Sequence, residues 1–234
     1  MRFRCLIIAL LMIGSLSANA QGLFNYYTGL FLPNSGKPER HDRLVIDVMH
    51  ANWQELPPGI NVKPYSHGVQ IFRLFDIPFG KSGLGMAIGP GISAYNIHFN
   101  GGYNEIVDMN SNETFSRFVP FQPTYEYRKH KLSLNFVDLG FEFRFRTKGD
   151  RRFRFYPGFK GGWLFNIHIA TVDTEGKYKG YNFSNLNRIR YGATLRIGWH
   201  RFMFTGYYAL NGLFQENKGQ DLRMWSAGMS LFLF

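Results

Sequence analysis

The segment 188–199 constrains the fold most, because apolar and polar residues alternate along it without interruption. One face carries Ile189, Tyr191, Ala193, Leu195, Ile197 and Trp199, and the other carries Arg188, Arg190, Gly192, Thr194, Arg196 and Gly198. Successive side chains of a β-strand point to opposite faces, so a period of two predicts a strand with one apolar side. The same alternation recurs between turn signals from Arg43 to the end of the chain. The chain is therefore predicted to be all-β.

Eight such segments follow one another, and the connections between them alternate in length. The predicted strands span 43–53, 67–78, 83–97, 130–147, 151–171, 187–199, 201–214 and 223–234. The connections after the second, fourth and sixth strands are tight, whereas the others are longer, and 98–129 is the longest. A soluble sandwich or lipocalin-like barrel has no need to sort its loops in this way. Short periplasmic turns that alternate with long outer loops are typical of outer-membrane barrels. We therefore predict an eight-stranded antiparallel up-and-down transmembrane β-barrel.

The two ends of the chain agree with export to the outer membrane. Positive residues in 1–4, an apolar run over 5–16 and small residues in 17–20 predict a secretory signal peptide over 1–20. The apolar run is shorter than the roughly 20 residues that a spanning helix needs. The final strand ends on the aromatic Phe234, as the closing strand of an outer-membrane barrel does. The expected organisation is a signal peptide over 1–20, a periplasmic lead-in over 21–42 and the barrel over 43–234.

Charge and cysteine content narrow the function classes. Without residues 1–20, the chain keeps 25 basic against 16 acidic side chains, a net charge near +9. The expected partners of this charge are outer-membrane lipid and phosphorylated lipopolysaccharide, and no nucleic-acid partner is expected. Cys5, the single cysteine, lies in the predicted signal peptide, so the mature chain has no disulfide and no cysteine ligand. The mean hydropathy of −0.21 fits a barrel whose polar lumen residues dilute every apolar stretch.

Several segments resemble a known group of outer-membrane proteins. They are Leu44–Val48, Phe75–Ser82, the strand from Gly91 to Asn96 and the closing hairpin over 213–223. Together with the alternating strands and the terminal Phe234, they resemble small eight-stranded barrels such as the OmpX-like and OmpA-transmembrane-like proteins. More specifically, the sequence is similar to the outer-membrane β-barrel domain family common in Bacteroidetes, which includes the PorT-like proteins. The resemblance implies a place in a Gram-negative cell envelope and, as for some PorT-like relatives, a role in protein export.

Charges on the polar faces of the strands are the main candidates for function. The alternation directs four acidic and nine basic side chains into the lumen: Asp47, Asp76, Asp138, Glu142, Arg144, Arg146, Arg152, Arg154, Lys160, Arg188, Arg190, Arg196 and Arg201. The candidate charge network among them is Asp47, Asp138, Glu142, Lys160 and Arg196, with Glu142, Lys160 and Arg196 at similar heights on adjacent strands. Buried charges must be paired or hydrated, and an eight-stranded barrel is just wide enough to be filled by side chains. We therefore expect a structural salt-bridge network. Because inward basic residues outnumber acidic ones, a narrow anion-preferring channel is the alternative.

The chain shows no complete catalytic or metal-binding motif. His130 and Ser133, and likewise Ser66 and His67, are an odd number of residues apart, so each pair faces opposite sides of a regular strand. The seven histidines show no i, i+2 or i, i+4 pairing, and we expect no metal and no cofactor. The predicted role is non-enzymatic: a structural, envelope-maintenance or secretion-associated binding role. The protein is expected to act as a monomer with an envelope or secretion-system protein as its partner. A lipid A-modifying enzyme is a further alternative.

Two assignments stay open at this point. In the last strand Phe232 and Phe234 share the face of small residues, whereas the other face carries Trp225, Ala227, Met229, Leu231 and Leu233. Either face could therefore meet lipid. The loop 98–129 carries aromatic and amide side chains that suit a glycan or protein partner, and its composition is equally that of a variable exposed loop.

Overall fold

The computed structural model describes residues 44–80, 82–107, 114–147, 153–199 and 202–233, which contain twelve β-strands. These are β1 (Leu44–Gln54), β2 (His67–Arg73), β3 (Phe75–Pro78), β4 (Leu84–His98), β5 (Gly101–Val107), β6 (Thr114–Pro120), β7 (Tyr127–Arg146), β8 (Phe153–Asp173), β9 (Lys177–Gly180), β10 (Ile189–Trp199), β11 (Phe202–Ala209) and β12 (Arg223–Leu233). The predicted signal peptide and lead-in lie outside the described residues, as does Phe234. Among the described residues, no helix is long and apolar enough to cross a membrane.

Antiparallel pairing closes the main sheet into a barrel. In chain order, β1 pairs with β2, β2 and β3 with β4, β4 with β7, β7 with β8, β8 with β10, β10 with β11, and β11 with β12. β12 pairs back onto β1 along its full length, from Gln54 with Arg223 to Leu44 with Leu233. β2 and β3 occupy one strand position, because both pair with β4. The short β9 pairs with β8 only at residues 169–172, beyond the part of β8 that pairs with β10. The barrel therefore has eight strand positions. The predicted eight-stranded antiparallel barrel is confirmed, and closure removes the free sheet edges.

The interruption between β2 and β3 has a local cause. Phe72 pairs with Gly91 and Phe75 with Ile88, so the break lies opposite Gly89 and Pro90 of β4. A proline has no backbone N–H and cannot donate to the ladder. Burial alternates without change across the break, so β2 and β3 present their side chains as one strand.

The two ends of the barrel differ in their connections. The connections from β3 to β4, from β7 to β8 and from β10 to β11 are short and lie at one end, here called the short-turn end. The connections 55–66, 99–126, 174–188 and 210–222 lie at the other, here called the long-loop end. In outer-membrane barrels the long loops face the cell exterior. The connection 99–126 contains the hairpin β5–β6, with seven residue pairs, where the sequence analysis predicted only a loop.

The outer surface carries an apolar band. On β7 the outward side chains below the long-loop end are Val137, Leu139, Phe141, Phe143 and Phe145, of which Phe143 is 47% exposed. The span from Val137 to Phe145 corresponds to roughly 20 Å of height at the strand tilt of such barrels, close to their usual apolar band of about 25 Å. Residues 127–135 of β7 project beyond this band toward the long-loop end.

The last strand turns its apolar face outward. Met229 is 53% exposed and shares the outer face with Trp225 and Leu231. Phe232 is only 1% exposed and faces the lumen, where its ring centroid lies 5.9 Å from that of Tyr156. Phe232, two residues before the C-terminal Phe234, therefore packs inside the barrel.

A β-bulge in β8 overturns one predicted face. Extended along the predicted strand 151–171, the period of two predicts that Ile167 and Ile169 lie on the outer side with Phe165, and that His168 lies on the inner side. In the structure the register between β7 and β8 shifts by one residue at Phe165, so the alternation reverses beyond it. Ile167 and Ile169 pack against the inner hydrophobic cluster, and His168 turns outward. The prediction was wrong because an inserted residue leaves no mark in the local alternation.

Candidate functional site in the lumen and at the long-loop end

Arg196 of β10 reaches across the lumen toward the short-turn end. Its Nη2 lies 2.6 Å from Oδ2 of Asp47 on β1, and its Nη1 forms an ion pair with Glu142 on β7. The Nε donates to Ser230 Oγ at 3.2 Å, and Ser230 donates in turn to Asp47 Oδ1 at 2.6 Å. One guanidinium therefore ties four strands together, and three of the five predicted lumen residues meet here.

Two further arginines extend this cluster toward the short-turn end. Arg144 Nη2 lies 3.2 Å from Glu142 Oε2, and its Nη1 lies 3.4 Å from Asp76 Oδ1. Arg146 Nη2 reaches the other oxygen of Asp76 at 2.6 Å, and its Nε donates to Tyr156 Oη at 2.8 Å. The Arg144 guanidinium also lies 5.0 Å from the centre of the Tyr156 ring. Carboxylates and guanidinium groups thus alternate through this part of the lumen, and Arg144, Arg146 and Arg196 each meet an opposite charge.

Asp138 forms a separate ion pair nearer the long-loop end. Both of its carboxylate oxygens accept from Arg190 Nη2 at 3.0 Å, and Ser93 donates to Oδ2. The Arg190 guanidinium carbon lies 3.5 Å from the centroid of Phe136, a close cation–π contact. Asp138 therefore does not join the cluster of Asp47 and Glu142.

Lys160 is placed differently from the prediction that grouped it with Glu142 and Arg196. Its Nζ donates to Gln70 Oε1 at 2.9 Å and lies 4.0 Å from the centroid of Tyr207. Among the described residues, no carboxylate lies within ion-pair distance of this ammonium group. An amide oxygen and an aromatic face surround a side chain that is 2% exposed. Lys160 lines a small cavity together with Glu142 and Arg196, but only Glu142 and Arg196 form an ion pair with each other.

These contacts fill the lumen. The described inner side chains comprise six basic groups (Arg144, Arg146, Arg154, Lys160, Arg190 and Arg196) and four acidic ones (Asp47, Asp76, Asp138 and Glu142). The cavity between Lys160, Glu142 and Arg196 has a volume of about 10 Å³. A space of this size holds about one water molecule. Among the described residues, charged and aromatic side chains therefore occupy much of the lumen.

Aromatic side chains close the long-loop end; we call Trp53, Phe99, Tyr103, Phe118 and Phe214 the cap. Phe118 comes from the hairpin β5–β6, and its ring stacks on Trp53 with centroids 5.6 Å apart. It also meets Phe99 edge to face at 5.1 Å and Phe214 at 5.7 Å. The cap is part of the larger hydrophobic cluster that fills the barrel at the long-loop end. The hairpin is therefore packed into the barrel mouth.

His130 supports the cap from β7, beyond the apolar band. Its ring lies 4.9 Å from that of Phe99 and 4.8 Å from that of Phe121, and Nδ1 is 2.8 Å from Thr171 Oγ1. Burial lowers the pKa of His130 to about 4, so the ring is neutral at pH 7.

Two open clefts lie at the long-loop end. One, of about 850 Å³, lies beside the loop 210–222 and includes Phe115, Asn187, Tyr191 and Asp221 in its lining. The other, of about 670 Å³, is lined by Tyr65, His67, His98, Arg128, Lys129 and Val172. The lining of the first cleft is mostly uncharged and includes Glu216, Asp221 and Arg223. The second carries Arg128 and Lys129, and we call it the basic cleft.

The catalytic candidates do not assemble into a catalytic site in the described chain. Ser66 Oγ accepts from the backbone N–H of His98 at 2.9 Å, so its nearest histidine contact is to the main chain. His130 bonds to Thr171, and Ser133 pairs with the outward His168. Among the described residues, no group of three or more histidine, cysteine, aspartate or glutamate side chains could hold a metal ion.

The comparisons with known proteins agree with the closed barrel. A family model described as outer membrane protein beta-barrel domain matches residues 52–215. The chain belongs to this family of outer-membrane β-barrels. None of the curated proteins compared with it matches the chain. The family and the closed eight-position barrel place the protein in the outer membrane, as predicted.

The sequence analysis missed the neutral partners of the lumen charges. Gln70, Ser93, Tyr95 and Ser230 all point inward and bind the charged groups or one another. Gln70 stands between Val69 and Ile71, so the alternation could have assigned it to the lumen. Its specific partner, Lys160, lies 90 residues away along the chain and depends on the closed barrel.

Proposed function

We propose that this protein is a non-enzymatic, non-conducting outer-membrane barrel that presents a rigid binding surface to an envelope or secretion-system partner. The observation that carries the proposal is the filling of the lumen, by ion pairs toward the short-turn end and by the aromatic cap at the long-loop end. A barrel filled in this way is suited to anchoring its loops. This supports a structural, envelope-maintenance or secretion-associated role, and the resemblance to PorT-like proteins favours the secretion-associated form.

Hydrogen bonds connect the hairpin β5–β6 with the segments 184–187 and 214–220 of two other long loops. We call the hairpin together with these two segments the platform. Gln220 accepts from the backbone N–H of Phe118 at 2.9 Å and donates to its carbonyl oxygen at 3.2 Å. Asn185 donates to the carbonyl oxygens of Thr114 at 2.5 Å and Lys218 at 3.2 Å. Loops held in one conformation lose less entropy on binding a partner. The platform therefore suits protein recognition.

The narrow anion channel has less support. The inner arginines Arg190 and Arg196 are occupied by carboxylates, so they are not available to attract a permeating anion. A lipid A-modifying activity would need a nucleophile and base within hydrogen-bonding reach of each other. The described serine and histidine side chains discussed above do not meet in that way.

Conductance in a planar bilayer tests the non-conducting part of the proposal. The refolded mature chain should insert, shift its mobility in unboiled gel samples and give no stepwise current. The Lys160→Ala variant should also stay silent, because the cap and the arginine clusters remain. Discrete anion-selective steps that disappear in Lys160→Ala would contradict the proposal and favour the channel.

Complementation of a deletion strain tests the platform. The Gln220→Ala variant removes both hydrogen bonds to Phe118 and should lose envelope integrity or surface delivery of exported proteins, while the barrel still inserts. Gln215→Ala is the matched control, because Gln215 lies in the same loop and its one side-chain bond, to Leu186, is long at 3.5 Å. A Gln220→Ala strain that behaves like the parent strain would contradict a role for the platform.

A further inference from the structure

The basic cleft lies on the outer wall of the barrel, on the side away from the loop 210–222. Its floor crosses neighbouring strands, from His67 on β2 and His98 on β4 to Lys129 on β7 and Val172 on β8. These residues belong to the outward face above the apolar band, because Lys131 pairs with His98 and continues the outward side of Val137. The cleft therefore opens toward the surrounding membrane and lies outside the lumen.

Four lysines form a grid next to this cleft. Lys131 pairs with Ala170, which pairs with Lys179, and Lys129 pairs with Val172, which pairs with Lys177. The two rows are about 7 Å apart along the strands, and the lysines of one row are about 10 Å apart across two strand spacings. The grid thus holds four positive charges on one outward face, with Arg128 beside it.

The four lysines of the grid lie close enough to repel one another electrostatically. The pKa of Lys131 is lowered by burial and by the nearby Lys129, Lys177 and Lys179. The neighbouring Asp173 accepts from the backbone N–H groups of Glu175 and Gly176 through Oδ1 and from the Tyr125 hydroxyl through Oδ2, so its oxygens have partners other than these lysines. An external anion would relieve the repulsion among the lysines.

His98 supplies a second, independent sign of a ligand. It is 4% exposed and lines the cleft, yet its Nδ1 has no hydrogen-bond partner among the described residues. Burial and the nearby Lys129 and Lys131 lower the pKa of His98 to about 4, so the ring is neutral at pH 7. Buried polar atoms are normally satisfied, so the unpaired Nδ1 points to a ligand with a polar group that binds in the cleft.

The height of the grid above the apolar band decides the class of ligand. Six residues separate Val137 from Lys131, which at the usual strand rise and tilt correspond to about 15 Å of height. In a phospholipid bilayer, each headgroup layer adds only about 6 Å to the hydrocarbon core. The lysines therefore stand above a phospholipid headgroup, at a level that the taller sugar headgroup of a glycolipid reaches.

We propose that the basic cleft and the lysine grid bind the phosphate groups of a phosphorylated glycolipid in the outer leaflet. The sugars occupy the cleft lined by Tyr65 and His98, and the phosphates contact Lys129, Lys131, Lys177 and Lys179. The acyl chains lie along the apolar band below. This site rests on the outer-membrane location and is independent of the platform and of conductance.

Binding of defined lipids to the refolded full barrel tests the proposal. The probes are purified rough lipopolysaccharide, the same material after enzymatic dephosphorylation, and phosphatidylglycerol vesicles. Lys129→Gln/Lys179→Gln is compared with Lys218→Gln/Arg223→Gln, a control that removes the same charge at and beside the other cleft. A cation near an anionic surface contributes about five-fold in affinity, so the first double variant should bind lipopolysaccharide roughly 30-fold more weakly than the parent. The control should stay within about two-fold of the parent.

Each other outcome overturns the assignment. Equal losses in both double variants would mean a diffuse effect of net charge. If the parent binds dephosphorylated lipopolysaccharide as tightly as the untreated material, the lysines do not contact its phosphate groups. Equally tight binding of phosphatidylglycerol vesicles would indicate attraction to any anionic lipid surface, and competition by inorganic pyrophosphate alone at equal affinity would indicate a site for free phosphate. Gel mobility of unboiled samples shows that each variant is folded.

Discussion

Replacement of Arg196 by methionine should destabilise the barrel strongly. Arg196 is 5% exposed and contacts Asp47, Glu142 and Ser230. Methionine keeps much of the side-chain length and is tolerant in packing, so the main loss is the positive charge. Removal of one partner of a buried ion pair costs about 3–5 kcal/mol, because the opposite charge is left in a medium of low polarity.

The two carboxylates are affected unequally. Glu142 keeps Arg144 at 3.2 Å, whereas among the described residues Asp47 keeps only the hydroxyl of Ser230. Most of the expected loss therefore comes from Asp47. The double variant Arg196→Met/Asp47→Asn removes the unpaired charge and should recover a large part of the free energy of unfolding.

Urea titration of the barrel refolded into phospholipid vesicles, followed by tryptophan fluorescence, measures these free energies. Arg223→Met is the matched control, since the Arg223–Asp221 pair has the same chemistry but its side chains are 39% and 50% exposed. The control should unfold like the parent. The reasoning is refuted if Arg196→Met is no less stable than Arg223→Met, or if the added Asp47→Asn change gives no recovery.

Three more predictions follow from particular contacts. Gly162→Ala should destabilise the barrel, because the added carbon would lie against the Asp138 carboxylate. Gly161→Ala should be neutral, because its added carbon would lie 3.9 Å from the backbone oxygen of Arg190, an ordinary van der Waals contact; equal urea midpoints would contradict this. His130 has a lowered pKa in the folded state, so its contribution to stability is present above its unfolded pKa near 6.5 and is lost as pH falls toward about 4, by up to roughly 1.4 kcal/mol per pH unit. His130→Phe should remove part of that pH dependence in urea titrations, and an unchanged profile would refute the assignment. A cysteine at Phe143 should stay protected from a water-soluble thiol reagent in intact membranes, whereas one at the exposed loop residue Gln122 should react; rapid labelling at Phe143 would contradict its contact with lipid.

The alternation of residues was sufficient to find the strands and most of their faces. The segments predicted from 43–53 to 223–234 agree with the observed strands to within a few residues at most ends, although β11 ends at Ala209, before the predicted 214. This success has a local cause, since a period of two is a property of the strand itself. The hairpin β5–β6 was missed because its strands are short and lie in a segment that reads as a loop.

The partners in the lumen required the closed barrel. The alternation directed Asp47, Asp138, Glu142, Lys160 and Arg196 inward, and all five are buried there. It could not tell that Arg196 joins Asp47 and Glu142 while Asp138 takes Arg190 and Lys160 takes Gln70.

The sequence by itself determined the class of fold, the location in the outer membrane and the side of most strands. Only the tertiary structure decided which charges meet, which face of β8 lies outward beyond Phe165, and how the loops close the barrel mouth. The sequence could predict the faces because successive side chains of one strand point to opposite sides of the sheet, which is a local property. The height at which two side chains meet depends on the stagger between strands that are far apart in sequence, and a single bulge changes it.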